Sequence, residues 1–242
     1  MDLRAIRPGW YLLIFITLYA ILVTFLWRAS LNSNQHIEPA IASPATLPPV
    51  AGLEQKQGMW FPIPGAHLPE RDFYLPGALR SYRRGVNQGF DFYADTAGIP
   101  IVYGTPVIAA QDGIVIRADH DFVEAPEEDW LTLMNEVSKR EASEEELDKL
   151  RGRQIWLRTD DGRVLRYAHL SAIRDGIDLE TEVYQGQVIG YVGNSGTDDG
   201  VAGSTRGARL HFEIWEPSGS FFGQGHSIEE TRRIAENLFV GP

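Results

Sequence analysis

Hydrophobic and polar residues alternate along several short segments in the middle and C-terminal part of the chain. Residues 154–159 (QIWLRT) and 163–169 (RVLRYAH) each follow the period of a strand with one apolar face. They flank Asp161-Gly162, a dipeptide typical of tight β-hairpin turns. Further strands are predicted around a second tight turn at 111–112 and nearer the C-terminus, at 107–110, 113–116, 188–192 and 210–215. The pattern therefore predicts a mainly β domain built from antiparallel strands.

Residues 123–152 interrupt this alternation and have the period of two helices. Ser143 and Glu146 form a capping-box signature at the start of the second helix. The first helix has one apolar face, made by Trp130, Leu133, Met134 and Val137. Such a face suits a helical pair packed on a sheet edge, and it also suits an element that covers a groove or docks a partner. A terminal amphipathic helix is predicted at 228–239.

The N-terminal part of the chain predicts a membrane anchor at residues 10–28. It opens with an 18-residue run without charge, which as a helix is about 27 Å long and matches the apolar core of a bilayer. Arg4 and Arg7 precede the run, so residues 1–9 should remain in the cytoplasm. We therefore expect a single-pass protein of the cell membrane whose C-terminal domain lies outside the cytoplasm.

Two other interpretations of the apolar run, a cleaved signal peptide and a buried core helix, are less consistent with the sequence. Signal peptides have shorter apolar stretches followed by small residues, whereas this run ends in Trp27-Arg28. A buried helix would contain more polar positions. Residues 29–59 are rich in Ala, Ser and Pro without a regular period, which predicts a disordered linker before a domain at 60–242.

Charge and composition exclude several classes of function. The formal charge of the chain is −11, and an acidic chain is a poor partner for nucleic acid, whose backbone requires a basic surface. The chain contains no cysteine, which excludes disulfides and thiolate metal sites. The arginine cluster Arg80, Arg83 and Arg84 suits contact with acidic peptides, but in this acidic chain it is expected instead to balance nearby carboxylates.

Four segments carry the candidate chemistry. They are GVNQGFDFY at 85–93, GTPV at 104–107, YAHLS at 167–171, and a glycine-rich loop at 186–196 followed by LHFEI at 210–214. In this order and spacing they resemble the lysostaphin/LytM-type zinc metallopeptidases, a family of peptidoglycan endopeptidases, over roughly residues 60–222. The resemblance implies a LytM-like domain of the duplicated-hybrid-motif type, with 123–152 as a helical insertion. It also implies a peptide-binding groove that includes Gly89, Tyr167 and Asn194.

The family's zinc is held by His, Asp and His and keeps a fourth position for water. Two further histidines act as general base and transition-state stabiliser. Carried over, the ligand positions are Asn87, Asp91 and His211, and the catalytic positions are His169 and Arg209. One ligand and one catalytic histidine are thus replaced.

Both replacements oppose zinc chemistry. The amide of Asn87 is a poorer zinc donor than imidazole. Arg209 brings a permanent positive charge and cannot act as a base. We therefore expect zinc to bind weakly or not at all, and Asp91 and Arg209 can form an ion pair in a metal-free groove. Among the other candidate histidines, His67, His120 and His226, only His226 lies on a glycine-containing loop that can swing inward.

These features predict a membrane-anchored, non-catalytic peptidase-like protein of the cell envelope. Its expected partners are peptidoglycan stem peptides or a cell-wall hydrolase that it regulates. The alternatives are an active zinc metalloendopeptidase that cleaves peptidoglycan cross-links, against which Asn87 and Arg209 argue, and a structural envelope module whose helices bind another membrane protein.

Overall fold

The computed structural model describes residues 58–94 and 96–241. The predicted cytoplasmic segment (1–9), the membrane anchor (10–28) and nearly all of the linker (29–59) therefore lie outside the described residues. Within the described ranges, no helix is long and apolar enough to cross a membrane. Met59, placed by the sequence at the end of the linker, is fully buried and forms a β-bridge with Phe239. The folded part thus includes this residue.

The described residues contain eleven strands and four α-helices. In chain order the strands are β1 (Leu79–Arg80), β2 (Gly85–Val86), β3 (Phe90–Tyr93), β4 (Pro106–Ile108), β5 (Gly113–Ala118), β6 (Ile155–Arg158), β7 (Val164–Ala168), β8 (Leu170–Ile173), β9 (Glu182–Val183), β10 (Val188–Val192) and β11 (Arg209–Trp215). The helices are α1 (Glu127–Val137), α2 (Glu144–Arg151), α3 (Asp198–Val201) and α4 (Ile228–Leu238). The predicted mainly β domain with a helical insertion is confirmed.

The strands form a six-stranded sheet in the order β3-β11-β7-β6-β5-β9, a three-stranded sheet in the order β4-β10-β8, and the β1-β2 pair. All the strand pairs are antiparallel. The predicted hairpin is the β6-β7 pair, and its turn contains Gly162 at φ +83°, a conformation that glycine adopts without strain. The strands on either side of 111–112 do not pair with each other, because β4 joins β10 and β5 joins β6.

Along the strands of the six-stranded sheet, successive side chains alternate between the hydrophobic core and the outer face. In β11, Leu210, Phe212 and Ile214 are fully buried in the hydrophobic core. The intervening residues Arg209, His211 and Glu213 therefore project from the other side of the sheet. In β3 the same alternation buries Phe90 and Phe92 in the core and turns Asp91 and Tyr93 to the outer face.

The helical insertion covers part of this outer face. Helices α1 and α2 share a small apolar cluster around Val137, Ala142 and Leu147, and Ser143 and Glu146 form the predicted capping box. The Nε of Arg151, the last residue of α2, donates to Glu213 of β11 over 2.7 Å. The contacts therefore place the insertion over a groove on the sheet face, one of the two arrangements that the sequence left open.

Candidate functional site

A cleft of about 410 Å³ lies on the outer face of the six-stranded sheet. β3 and β11 contribute Asp91, Tyr93, Arg209, His211 and Glu213 to it. The insertion adds apolar side chains, namely Trp130, Met134, Leu147 and Leu150. The indole of Trp130 donates to Asp198 over 2.5 Å and so ties α1 to the segment 196–199, which also lines the cleft.

The five positions carried over from the family resemblance all line this cleft: Asn87, Asp91, His169, Arg209 and His211. Strand register brings them together. His211 of β11 lies opposite Asp91 of β3 on one side and opposite Ala168 of β7 on the other. His169 directly follows Ala168, and its ring centroid is 5.9 Å from that of His211.

Both carboxylate oxygens of Asp91 are engaged by protein groups. Oδ1 is 2.8 Å from Nδ1 of His211. Oδ2 accepts from the Asn87 amide over 3.2 Å and from the guanidinium of Arg80. Burial acts to raise the pKa of Asp91, but the charges of His211 and Arg80 outweigh it and hold the pKa well below its usual range. Asp91 is therefore a carboxylate whose charge is neutralised from within the protein.

Arg80, and not Arg209, supplies the guanidinium that pairs with Asp91. Arg80 is 6% exposed, donates a second hydrogen bond to the carbonyl of Phe73 over 2.7 Å, and lies 4.5 Å from the centre of the Phe73 ring. Arg209 instead contacts His169. An Arg80–Asp91 ion pair thus takes the place of the expected Asp91–Arg209 ion pair, because β1 places Arg80 beside Asp91.

His211 is held between two carboxylates. Nδ1 faces Asp91 over 2.8 Å and Nε2 faces Glu213 over 3.0 Å. Since carboxylates only accept hydrogen bonds, both contacts are hydrogen bonds at once only when the ring is protonated. Burial acts to lower the pKa of His211, but Asp91 and Glu213 outweigh burial and raise it above its ordinary value of 6.5.

His169 is held in the neutral state. Its Nδ1 donates to the carbonyl of Ser195 over 2.7 Å, which leaves Nε2 as the acceptor for Nη2 of Arg209 at 2.9 Å. Burial, and then the charge of Arg209, lower the pKa of His169 well below 6.5. The nitrogen that a general base would use is already occupied by a cation.

This arrangement does not fit a zinc ion. Zinc needs lone pairs from its ligands, and here other protein groups already engage both nitrogens of His211 and both oxygens of Asp91. The Asn87 amide nitrogen points at two acceptors, Asp91 and the carbonyl of Leu75. Across the described ranges, no group of three or more His, Cys, Asp or Glu residues is arranged to hold a metal.

The three other candidate histidines lie elsewhere. His67 bonds to the carbonyl of Leu68 over 2.9 Å, and His120 bonds to that of Ile177 over 2.8 Å. His226 pairs with Glu230 on the first turn of α4 over 3.0 Å. None of them contributes to the lining of the cleft.

The predicted groove residues surround the cleft rather than line it. Tyr167 is fully buried on the core side of the sheet, where its hydroxyl accepts from the backbone N–H of Ala110 over 2.9 Å. A side chain at Gly89 would clash with the carbonyl oxygen of Phe212, so this glycine allows the chain entering β3 to approach β11. Asn194 donates to the carbonyls of Ser204 and Arg206 and closes the loop between β10 and β11.

Three important side chains were not assigned to the site from sequence: Arg80, Arg151 and Glu213. Glu213 is 1% exposed and accepts from Arg151, Arg166 and Trp215. It lies two residues after His211 on one strand, so alternation alone places both on the same face. Arg80 belongs to the arginine cluster expected to balance nearby carboxylates, but the sequence does not identify Asp91 as its partner. Arg151 has no comparable signal, because Glu213 lies 62 residues away along the chain.

The sheet topology and the clustering of these five positions define a domain of the lysostaphin/LytM type. The sequence model of Peptidase family M23 matches residues 87–228. The chain therefore belongs to peptidase family M23. The comparison with curated protein sequences gives no match.

Several solved structures are similar at low sequence identity. A zinc-containing peptidase from Vibrio cholerae is 18% identical, with a TM-score of 0.42, over 67% of this chain and 38% of that one. The catalytic domain of lysostaphin from Staphylococcus simulans is 23% identical, with a TM-score of 0.36, over 61% and 82%. The SpoIIQ–SpoIIIAH pore-forming complex is 16% identical, with a TM-score of 0.40, over 68% and 87%. This chain thus spans about two-fifths of the Vibrio cholerae peptidase.

Proposed function

We propose that this chain is a non-catalytic member of peptidase family M23 that keeps the family's cleft as a binding site. The observation that carries the proposal is the Arg80–Asp91 ion pair. The guanidinium occupies the carboxylate that the family uses as a zinc ligand. A zinc ion has to compete with this buried cation for the charge of Asp91 and with the hydrogen bonds of His211 before it gains two ligands.

The proton-transfer groups support the same proposal. General base catalysis needs a group that accepts a proton near neutral pH. Nε2 of His169 is occupied by Arg209, and a guanidinium does not lose its proton in proteins. The residues at both catalytic positions therefore lack a free basic nitrogen.

The proposed ligand is a peptide of the cell wall, bound outside the cytoplasm by a domain tethered through the anchor at 10–28. The cleft combines apolar and aromatic side chains such as Tyr82, Trp130 and Met134 with the polar groups of β3 and β11. This combination is typical of sites that hold short peptides or small ligands. The alternative is that the cleft docks on a cell-wall hydrolase. An assay of binding to purified wall material distinguishes the two.

Co-sedimentation of the full chain with purified peptidoglycan, with and without added zinc, tests the proposal. The natural chain should bind and release no soluble peptide. Tyr82→Ser should weaken binding, because Tyr82 lines the cleft, whereas Leu79→Ser should leave it unchanged, because the exposed Leu79 lies outside it. Zinc-dependent release of peptides, abolished by His211→Ala, would contradict the non-catalytic role. Absence of binding to peptidoglycan would instead favour a protein partner.

A further inference from the structure

Two of the four arginines that line the cleft make no ion pair with a carboxylate in the described part of the chain. Arg80 is paired with Asp91 and Arg151 with Glu213. Arg83 and Arg209 have only uncharged hydrogen-bond partners among residues 58–94 and 96–241. The cleft therefore contains two cations whose charge is not neutralised by these residues.

Arg83 is 8% exposed, yet one of its polar atoms lacks a partner. Its Nη2 donates to the carbonyl of Val86 over 2.8 Å, and its guanidinium lies 6.0 Å from the centre of the Tyr82 ring. Its Nε is buried and has no hydrogen-bond partner among the described atoms. A buried donor without an acceptor is costly, so Arg83 has hydrogen-bonding capacity that the described residues do not satisfy.

Arg209 is partly exposed at the cleft, and Nη2 is the one side-chain nitrogen that the described residues engage. Nη2 contacts the neutral His169 over 2.9 Å, and the guanidinium lies 5.4 Å from the centre of the Tyr93 ring. A guanidinium has five N–H donors in a planar fork. The remaining donors match the two oxygens of a carboxylate, which arginine binds in a bidentate manner.

The acidic residues of the cleft compensate these charges only in part. Asp91 and Glu213 are bound by Arg80, Arg151 and the protonated His211. Asp199 pairs with Arg206 over 3.2 Å. Asp198 accepts from the uncharged indole of Trp130 and keeps its charge, so one carboxylate stands against the two unpaired arginines. A chain with a formal charge of −11 therefore presents a cleft in which positive charge is left over.

We propose that Arg209 and Arg83, which line the same cleft, recognise carboxylates and that the cleft selects peptides bearing a free carboxylate. This inference rests on the proposed non-catalytic role, because in this view Arg209 replaces a catalytic group with a recognition group. A peptide supplies a carboxylate either at its C-terminus or on an acidic side chain, and both present the same planar pair of oxygens.

Calorimetric titration of the full chain with three acetylated tetrapeptides tests the proposal. The probes are Ala-Ala-Gly-Ala with a free C-terminus, the same peptide as its amide, and Ala-Glu-Gly-Ala as its amide. At least one carboxylate peptide should bind about tenfold tighter than the neutral amide, as expected for a charge-assisted hydrogen-bonded pair. The carboxylate peptide that gains affinity shows whether the cleft recognises a C-terminal carboxylate or an acidic side chain.

Variants assign the effect to the two arginines. Arg209→Gln and Arg83→Gln should each reduce the preference for the carboxylate peptide by about tenfold. Arg84→Gln, an exposed neighbour outside the cleft lining, should retain it. Equal affinity for charged and neutral peptides, no binding at millimolar concentration, or an equal loss in Arg84→Gln would overturn the inference. Zinc-dependent cleavage of the probes would instead overturn the proposed function, and chromatography of the titrated samples detects it.

Discussion

The guanidinium of Arg80 is hydrogen-bonded to the carboxylate of Asp91, and both side chains are buried in the protein. Asp91 also contacts the protonated His211, which in turn contacts Glu213. Arg151 completes this row of alternating charges from the helical insertion. A single network thus joins the β1 strand, the six-stranded sheet and α2. In the proposed role it takes the place of the metal in organising the cleft.

Removal of Arg80 should destabilise the domain strongly. Arg80→Ala leaves the buried Asp91 without one of its cations, and breaking a buried ion pair from one side costs about 3–5 kcal/mol. Urea denaturation of the full chain, followed by circular dichroism, measures the change in the free energy of unfolding. Arg84→Ala, at an exposed neighbouring arginine, should change stability by less than about 0.5 kcal/mol. A loss below about 1 kcal/mol for Arg80→Ala would show that the pair contributes little.

Stability should be highest near pH 6.5 because two histidines are shifted in opposite directions. The pKa of His211 is raised above 6.5 in the folded protein, so its contribution is complete below pH 6.5 and is lost as the pH rises through the raised pKa. The pKa of His169 is lowered below 6.5, so the unfolded chain gains a proton first as the pH falls, and stability decreases on the acidic side.

Urea denaturation at a series of pH values, in the natural chain and two variants, measures this dependence. His211→Gln should remove most of the decrease above pH 6.5, and His169→Gln should reduce the decrease below it. The pKa values of Asp91 and Glu213 are lowered in the folded protein. Their contribution to stability is therefore lost only at the lower pH values at which free carboxylates begin to bind protons. A stability that rises continuously from pH 6.5 to pH 8 would contradict the protonated state of His211.

The insertion should open when Arg151 loses its charge. Arg151 is 5% exposed and joins α2 to Glu213 and to Gln88 of the segment before β3. Arg151→Met keeps an unbranched apolar stem but leaves Glu213 with one cation fewer, so the helices should separate from the sheet. Amide hydrogen exchange should therefore become faster in α1 and α2 than in the natural chain. Lys149→Met, an exposed change on the same helix, should leave the exchange rates unchanged.

Much of the fold could be predicted from local sequence signals. The alternation in 154–159 and 163–169, with Asp161-Gly162 between them, specifies the β6-β7 hairpin without any other information. Ser143 and Glu146 likewise specify the start of α2. Both signals are local, because the interactions that form the hairpin turn and the helix cap involve only a few consecutive residues. The pairing of β4 with β10 is not local, and no dipeptide signals it.

The same distinction applies to the site. The family resemblance predicted that five positions share one site: Asn87, Asp91, His169, Arg209 and His211. It did not identify the side chains that pair with the charged residues among them. The partner of Asp91 is decided by which of several arginines the tertiary structure carries to it. Arg80 reaches it from β1, while Arg209, which shares a sheet face with Asp91, turns to His169. Such choices depend on packing and burial rather than on spacing along the chain.

Equilibrium zinc binding to the full chain tests most directly whether Arg80, Asn87 and Arg209 keep zinc out of the cleft. Three forms should be compared: the natural chain, Asn87→His/Arg209→His, and the same double variant with Arg80→Ala. The account predicts no stoichiometric zinc in the natural chain, weak binding in the double variant where Arg80 still occupies Asp91, and one tightly bound zinc per chain in the triple variant. Tight stoichiometric zinc in the natural chain, lost on His211→Ala, would contradict it.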